Sequence, residues 1–249
     1  MVQRITLLSK NDPAVFPDPG HALTEPNGLL AAGGDLSPQR LESAYRQGIF
    51  PWFSAGQPIL WWSPDPRCVL LPERLRVSRS LRKSARNKGY SVTADTAFLE
   101  VMHACAAPRP GEPGTWIGDE MIQAYHVLFR RGLAHSVEIR QQGELVGGLY
   151  GVALGRAFFG ESMFSRRADA SKLALLALAR QLTAWGYDLI DCQVSSSHLS
   201  SLGAQDMPRP EFLQRLNIAL ERPGQPAPWR FDDELADLAA FRQVAPQDE

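Results

Sequence analysis

The 249-residue chain is poor in cysteine, in metal-ligand spacings and in long apolar runs, and each shortage excludes something. Its three cysteines, Cys68, Cys105 and Cys192, are an odd number, widely spaced, with no C-x-x-C pair. That argues against a disulfide framework and a structural zinc site, and predicts a reduced, cytoplasmic protein. The five histidines show no ligand spacing, so no metal is expected. No stretch approaches the ~20 apolar residues of a membrane span, and the start, Met1 to Lys10, has too short an apolar core for a signal peptide. No membrane partner is therefore expected. Net charge is only −1, with 44% hydrophobic and 21% charged residues, an ordinary balance for a globular enzyme able to bury a real core.

What is present is unevenly placed. Seven basic residues and no acidic one lie between Arg74 and Lys88, leaving 19 Lys and Arg against 27 Asp and Glu, a balance of −8 elsewhere. A single cationic patch on a mildly acidic body predicts a polyanionic partner at one place. Ser78 can cap a helix there and Gly89 can end it. Arg79, Arg82, Lys83 and Arg86 then fall at i, i+3, i+4 and i+7, one continuous cationic face, with Val77, Leu81 and Ala85 turned toward the body.

The first 67 residues are rich in Pro, Gly and Trp, and one short helix is predicted in them, with Ser37 as N-cap, Pro38 in its first turn and Gly48 past its end. Three of the six tryptophans, Trp52, Trp61 and Trp62, fall within eleven residues. We read 1–67 as a small loop-rich N-terminal domain and 68–249 as a larger one, its Pro-rich acidic tail from about 221 peripheral. A helix is predicted over 119–131. From Ser136 the apolar period becomes two: strands over 136–141 and 144–154 around Gln142-Gly143, then a third over 157–164. A helix follows from Asp169 to Gly186, with Leu175, Leu178, Leu182 and Trp185 inward, and a fourth strand over 187–194. The expected fold is α+β with a mixed, mostly antiparallel sheet, in the element order of GNAT-type acyltransferases.

Two of these strands carry groups that strands normally avoid. Glu161 interrupts Phe158-Phe159-Gly160 and Met163-Phe164, while Asp191 and Gln193 interrupt Leu189-Ile190 and Val194. A buried carboxylate costs several kcal/mol unless paired, so these positions predict a polar cleft with apolar walls. The bland alternative is a set of structural carboxylates, with Glu161 paired to Arg166 or Arg167. Strand alternation puts Phe159, Glu161 and Met163 on one face, and Asp191 with Gln193 opposite Ile190, Cys192 and Val194. Cys192 is thereby expected as a buried structural thiol, and His198, in the loop beyond, as solvated. An acyl-CoA-dependent enzyme of this fold needs a glycine-rich turn before the helix to cradle pyrophosphate. The segment S-R-R-A-D-A-S at 165–171 has no glycine, so an acyl donor must be held by other means, the basic helix being the obvious one.

Nine collinear blocks carry a resemblance: N-G-L-L-A-A-G-G-D-L-S (27–37), G-I-F-P-W-F (48–53), W-W-S-P-D-P-R (61–67), T-W-I (115–117), A-Y-H (124–126), F-F-G-E-S-M-F-S (158–165), A-S-K (170–172), L-I-D-C-Q-V (189–194) and S-L-G-A (201–204). With them the chain resembles the leucyl/phenylalanyl-tRNA–protein transferases. The resemblance implies transfer of leucine or phenylalanine from Leu-tRNA or Phe-tRNA to the α-amino group of proteins with N-terminal Arg or Lys, marking them for degradation by the N-end rule. It also assigns Asp191 and Gln193 to catalysis. The donor ester is already activated, so no cofactor is expected. Asp191 can accept the acceptor amine's proton or hold it in line; Gln193, an amide, can orient but not act as a base. Glu161 is the candidate for pairing with the acceptor's Arg or Lys side chain. Trp52, Trp116, Leu149, Phe158, Met163, Leu178 and Ile190 are candidates for an apolar aminoacyl pocket, and Arg79, Arg82, Lys83 and Arg86 for the tRNA backbone. Three alternatives stay open: another aminoacyl-tRNA-dependent peptide ligase, a CoA-dependent N-acetyltransferase, and a non-enzymatic RNA-binding module.

Overall fold

Local signals start some of the elements. In the computed structural model, which describes residues 5–12, 15–108 and 116–239, the N-terminal segment holds β1 (Thr6–Leu8), β2 (Leu29–Gly33), α1 (Pro38–Arg46), β3 (Phe50–Pro51) and β4 (Leu60–Trp62). Ser37 caps α1, accepting from the Arg40 amide at 3.4 Å. Next come β5 (Arg67–Leu70), α2 (Arg79–Asn87), β6 (Tyr90–Ala94), α3 (Phe98–Ala106) and α4 (Asp119–Arg130). Ser78 caps α2 at 3.1 Å from the Leu81 amide. The chain continues through β7 (Ala134–Gln141), β8 (Glu144–Leu154), β9 (Ala157–Ser165), α5 (Ala170–Ala184) and β10 (Leu189–Gln193). It ends with α6 (Ser197–Ser201), β11 (Gln205–Met207), α7 (Arg209–Leu220) and α8 (Asp233–Ala236). Residues 1–4 of the N-terminal start, Thr115 of the T-W-I block and 240–249 of the tail lie outside the described residues.

Two sheets result, with strand orders β1-β2-β4-β3 and β11-β5-β10-β9-β8-β7-β6. In the larger sheet β9 and β10 run parallel and every other neighbouring pair is antiparallel, so the α+β, mostly antiparallel expectation holds. The order of antiparallel strands, crossover helix and parallel strand is the one expected from the sequence. One face of this sheet packs against α3, α4 and α7 together with α1, in a core that includes Tyr45, Trp61, Tyr125, Phe159 and Leu216. The other face is covered by α5 and α2, around Leu81, Phe158, Leu175 and Leu178. Because α5 lies under the sheet and is covered on its far side, Leu173 to Ala179 are all buried, a wider apolar surface than the single stripe expected of it.

The tail after Leu220 runs over the surface through residue 239, mostly exposed, but is anchored to the body at two buried residues, Trp229 and Leu238. Trp229 is 1% exposed, with its ring stacked nearly parallel on that of His135 at 3.7 Å, and its amide donates to Asp95 Oδ2 at 2.7 Å. Gln181 of α5 exchanges two hydrogen bonds with Asp232, and Arg180 donates to the Leu235 carbonyl. One buried indole and paired backbone polar groups hold the segment down, features that its Pro-rich, acidic composition conceals.

Candidate functional site

The site forms where β9 and β10 part. Their parallel pairing runs from Leu189 opposite Ala157 to Asp191 opposite Phe159 and goes no further. Beyond that point each strand carries a bulge against its other neighbour. In β9, Tyr150 faces Ser162 and Gly151 faces Gly160, leaving Glu161 unopposed. In β10, Asp191 faces Val69 and Gln193 faces Cys68, leaving Cys192 as the extra residue. Gly151 is required at the first bulge: a Cβ there would stand 2.2 Å from the Phe159 carbonyl oxygen.

A bulge adds one residue and reverses the alternation beyond it, which corrects the face assignments made from period two. Phe159 and Phe164 lie in one core, while Phe158 and Met163 face the other. Asp191 and Gln193 likewise part company. Gln193 adopts φ +65°, uncommon for a residue with a side chain, and its amide N–H donates to Asp191 Oδ1 at 2.9 Å. That twist turns Gln193 toward the opening between the strands.

The opening is a cavity of about 520 Å³, within the usual range of small-molecule sites. Its wall includes all seven apolar candidates, Trp52, Trp116, Leu149, Phe158, Met163, Leu178 and Ile190, together with Glu161 and Gln193. Gln193 Nε2 bridges the parted strands to Glu161 Oε1 at 2.8 Å. Tyr45 donates to the same oxygen at 2.7 Å, and Tyr125 to Oε2 at 3.1 Å. The partners of Glu161 are thus two phenols and an amide, not Arg166 or Arg167; Arg166 instead donates to the Leu145 carbonyl. Burial pushes the Glu161 carboxyl up to about 7, against the pull of its three donors and with a further push from Asp191. Burial, and then the charge of Glu161, hold Tyr45 and Tyr125 well above the ordinary phenol value, so both stay protonated donors.

Asp191 does not reach this wall. It is fully buried and held by Arg67, Nε to Oδ1 at 2.8 Å and Nη2 to Oδ2 at 2.6 Å, both side chains 0% exposed. The Arg67 guanidinium sits between the rings of Phe50 and Phe212, 4.8 and 4.7 Å from their centroids. Asp191 therefore anchors the bulge that carries Gln193 and offers no free oxygen to the cleft.

Two expectations nearby change. Cys192 is half-buried and lines the cavity; its hydrogen bond with Cys68 and its burial keep the thiol well above its ordinary value, an unreactive state. His198 also lines the cavity, held below its ordinary value by burial and by Lys172.

The four cationic candidates stand apart from the cavity on α2, with Arg79, Lys83 and Arg86 exposed and Arg82 half-buried. Leu81 and Ala85 are buried on the opposite face, as the spacing predicts. α2 is tied to the glycine-free loop before α5: Ser84 donates to Asp169 Oδ2 at 2.6 Å, and Lys88 to the Ala168 carbonyl at 3.3 Å. Asp169, at φ +68°, makes no side-chain cap to α5. Arg67, Tyr45 and Tyr125 were not singled out from the sequence as site residues. Two of them sit inside resemblance blocks, Arg67 closing W-W-S-P-D-P-R and Tyr125 central in A-Y-H; Tyr45 lies outside them, buried on α1.

Two family models match the chain: the leucyl/phenylalanyl-tRNA protein transferase over 69–217 and its N-terminal domain over 34–65. A leucyl/phenylalanyl-tRNA–protein transferase of Nitrosomonas europaea is 63% identical over 217 residues, 87% of this chain and 92% of that one. That of Alkalilimnicola ehrlichii is 56% identical over 242 residues, covering 96% and 94%. The chain belongs to this family. Among solved structures, a GCN5-related N-acetyltransferase from Kribbella flavida aligns at TM-score 0.38 and 13% identity, over 69% of this chain and 61% of that one. In this transferase α1, within the stretch matched by the N-terminal family model, supplies Tyr45 to the Glu161 carboxylate on β9. No described helix is long and apolar enough to cross a membrane. Among the described residues there is no cluster of three or more His, Cys, Asp or Glu suited to a metal.

Proposed function

We propose that this member of the family takes leucine or phenylalanine from its charged tRNA and joins it to the α-amine of proteins that start with Arg or Lys, in the cytoplasm. The observation that carries the reading is the 520 Å³ cavity, apolar around most of its wall and edged by the hydrogen-bonded pair Glu161–Gln193. The aminoacyl side chain fills the apolar part, where shape discriminates by about 1–3 kcal/mol per methylene. Leucine and phenylalanine are then preferred rather than exclusive. The exposed cations of α2 hold the tRNA backbone.

In the reaction the neutral acceptor amine attacks the ester carbonyl, a C–N bond forms, the ester C–O bond breaks, and the proton that the nitrogen then sheds passes to the ribose oxygen, which leaves as its hydroxyl. The amine must first lose a proton, and its ordinary pKa is about 7.7–8.0. Glu161, pushed up to about 7, is matched to take that proton near neutral pH. The acceptor-side role expected of Glu161 thus narrows to the α-amine: Oε1 already accepts from Tyr45 and Gln193, and Oε2, accepting from Tyr125 alone, has one lone pair left for an amine proton but not the two that a guanidinium fork needs. Gln193 orients the amine and the carbonyl; Asp191 acts through it as a positioning residue. The deciding assay offers the enzyme labelled Leu-tRNA, Phe-tRNA or acetyl-CoA with a peptide starting in Arg. Transfer from acetyl-CoA, or from none of the three, would overturn the reading.

A further inference from the structure

A second cavity of about 330 Å³ adjoins the first and is not used by the chemistry above. The two share Phe50, Trp52, Val194 and Ser195 in their walls, so a group placed at Gln193 has this second space beside it. The remainder of its lining includes Trp62 and Asp206. Trp52 is 44% exposed, and its ring lies 5.6 Å from that of Trp62 at 57°, so the two indoles form an angled wall rather than a closed sandwich. Trp62 is fixed in place by its Nε1, which donates to the Trp52 carbonyl at 2.6 Å.

Among the lining residues Asp206 alone carries a charge. Its Oδ1 accepts from Ser195 Oγ, which leaves Oδ2 open to a ligand. Arg74 and Arg215 share another cavity wall with Asp206, and Arg215 is paired there with Glu211 at 3.0 Å. Arg67 is fully buried against Asp191; Asp65 accepts from the Arg209 amide, and the Arg209 guanidinium is engaged by the Ser63 carbonyl at 2.6 Å. An exposed carboxylate at the end of an indole-walled recess is suited to a cation on an apolar stem. The rings cover the methylenes and attract the charge through their faces, and the carboxylate takes the end group.

We propose that this second cavity selects the acceptor by its first side chain, taking a guanidinium or ammonium group against Asp206 along the wall made by Trp52 and Trp62. The inference rests on the acceptor reading above, in which the α-amine stands at Glu161 and Gln193. From there the first side chain branches toward Val194 and Ser195, into the shared wall. Selection of the cation and deprotonation of the amine are thereby performed by different carboxylates. Glu161, with one lone pair left on Oε2, handles the amine, and Asp206, accepting from Ser195 alone, handles the side chain.

The test is steady-state transfer from Leu-tRNA to matched peptides starting with Arg, its neutral isostere citrulline, or Glu. Wild type favours Arg over citrulline. Asp206→Asn lowers that preference about 10-fold or more, through KM for the peptide. Asp206→Glu restores it, and Asp206→Lys brings Glu-starting peptides above Arg-starting ones. KM for Leu-tRNA stays within about 2-fold in all three. If wild type prefers Arg and Asp206→Asn keeps the preference, the inference fails while the acceptor reading stands. A wild type that uses Arg and citrulline equally also overturns the inference. Absence of transfer to any peptide removes the acceptor reading and this inference together.

Discussion

Replacing Glu161 with glutamine keeps the volume of the side chain and removes its titration, which makes the consequence calculable. In the fold the carboxyl is raised from 4.5 to about 7, chiefly by burial. At about 1.4 kcal/mol per pH unit, that corresponds to roughly 3 kcal/mol. The sign follows from proton linkage. Below the unfolded value both states hold the proton and the protein has its full stability. As pH rises the unfolded chain releases the proton first, and stability is lost until the folded carboxyl ionises near 7. Between pH 5 and 8 the wild type should therefore lose roughly 2–3 kcal/mol that Glu161→Gln does not lose. Urea unfolding of both proteins at several pH values, followed by tryptophan fluorescence, measures the difference directly. The same group should set the rate. Wild-type kcat/KM should rise through a limb near pH 7, and the variant should lose that limb with a fall of about 10²–10⁴-fold. Stability curves of wild type and variant that run parallel from pH 5 to 8 would refute the argument, because the carboxyl would then not be the buried titrating group described here.

Three further outcomes are expected. Removing Arg79, Arg82, Lys83 and Arg86 together should raise KM for the charged tRNA and flatten the salt dependence of binding by up to about 3–4 in slope; an unchanged slope makes α2 a merely solvated face. Asp191→Asn should destabilise by roughly 3–5 kcal/mol, since it strands the buried Arg67 guanidinium. Pairing Asp191→Leu with Arg67→Met should recover stability without kcat, and full recovery of kcat would show that Gln193 needs no anchor. Met163→Ala, by enlarging the apolar wall, should shift the kcat/KM ratio of Phe-tRNA to Leu-tRNA upward by about 10-fold or less; an unaltered ratio places Met163 outside the aminoacyl pocket.

Much of the architecture is legible because its signals are local. Ser37 and Ser78 cap helices within one turn of themselves, and Gln142 and Gly143, both at positive φ, make the turn that their sequence announces. Period-two runs place β7, β8, β9 and β10 with little error. Other elements have no such announcement. α3 makes no side-chain cap and α7 starts from Pro208, while the strands of the first 67 residues are two to five residues long and exist only through their partners. The tail's Trp229 finds His135 across ninety-odd residues of chain, beyond the reach of any periodicity.

The sequence by itself determined the class of fold, the cationic face of α2 and the seven apolar residues that meet around one cavity, five of them within its nine blocks. Only the tertiary structure decided what the polar groups do. Two bulges, neither visible in an alternating pattern, turn Gln193 into the opening and Asp191 away from it, and they put Met163 on the side of Phe158. Arg67 is 124 residues from the carboxylate it neutralises, and Tyr45 is 116 residues from the one it donates to. Caps, turns and stripes are settled by the free energy of a few neighbouring residues. The register of a strand, and the partner of a buried charge, are settled by groups that only the completed fold brings within hydrogen-bonding distance.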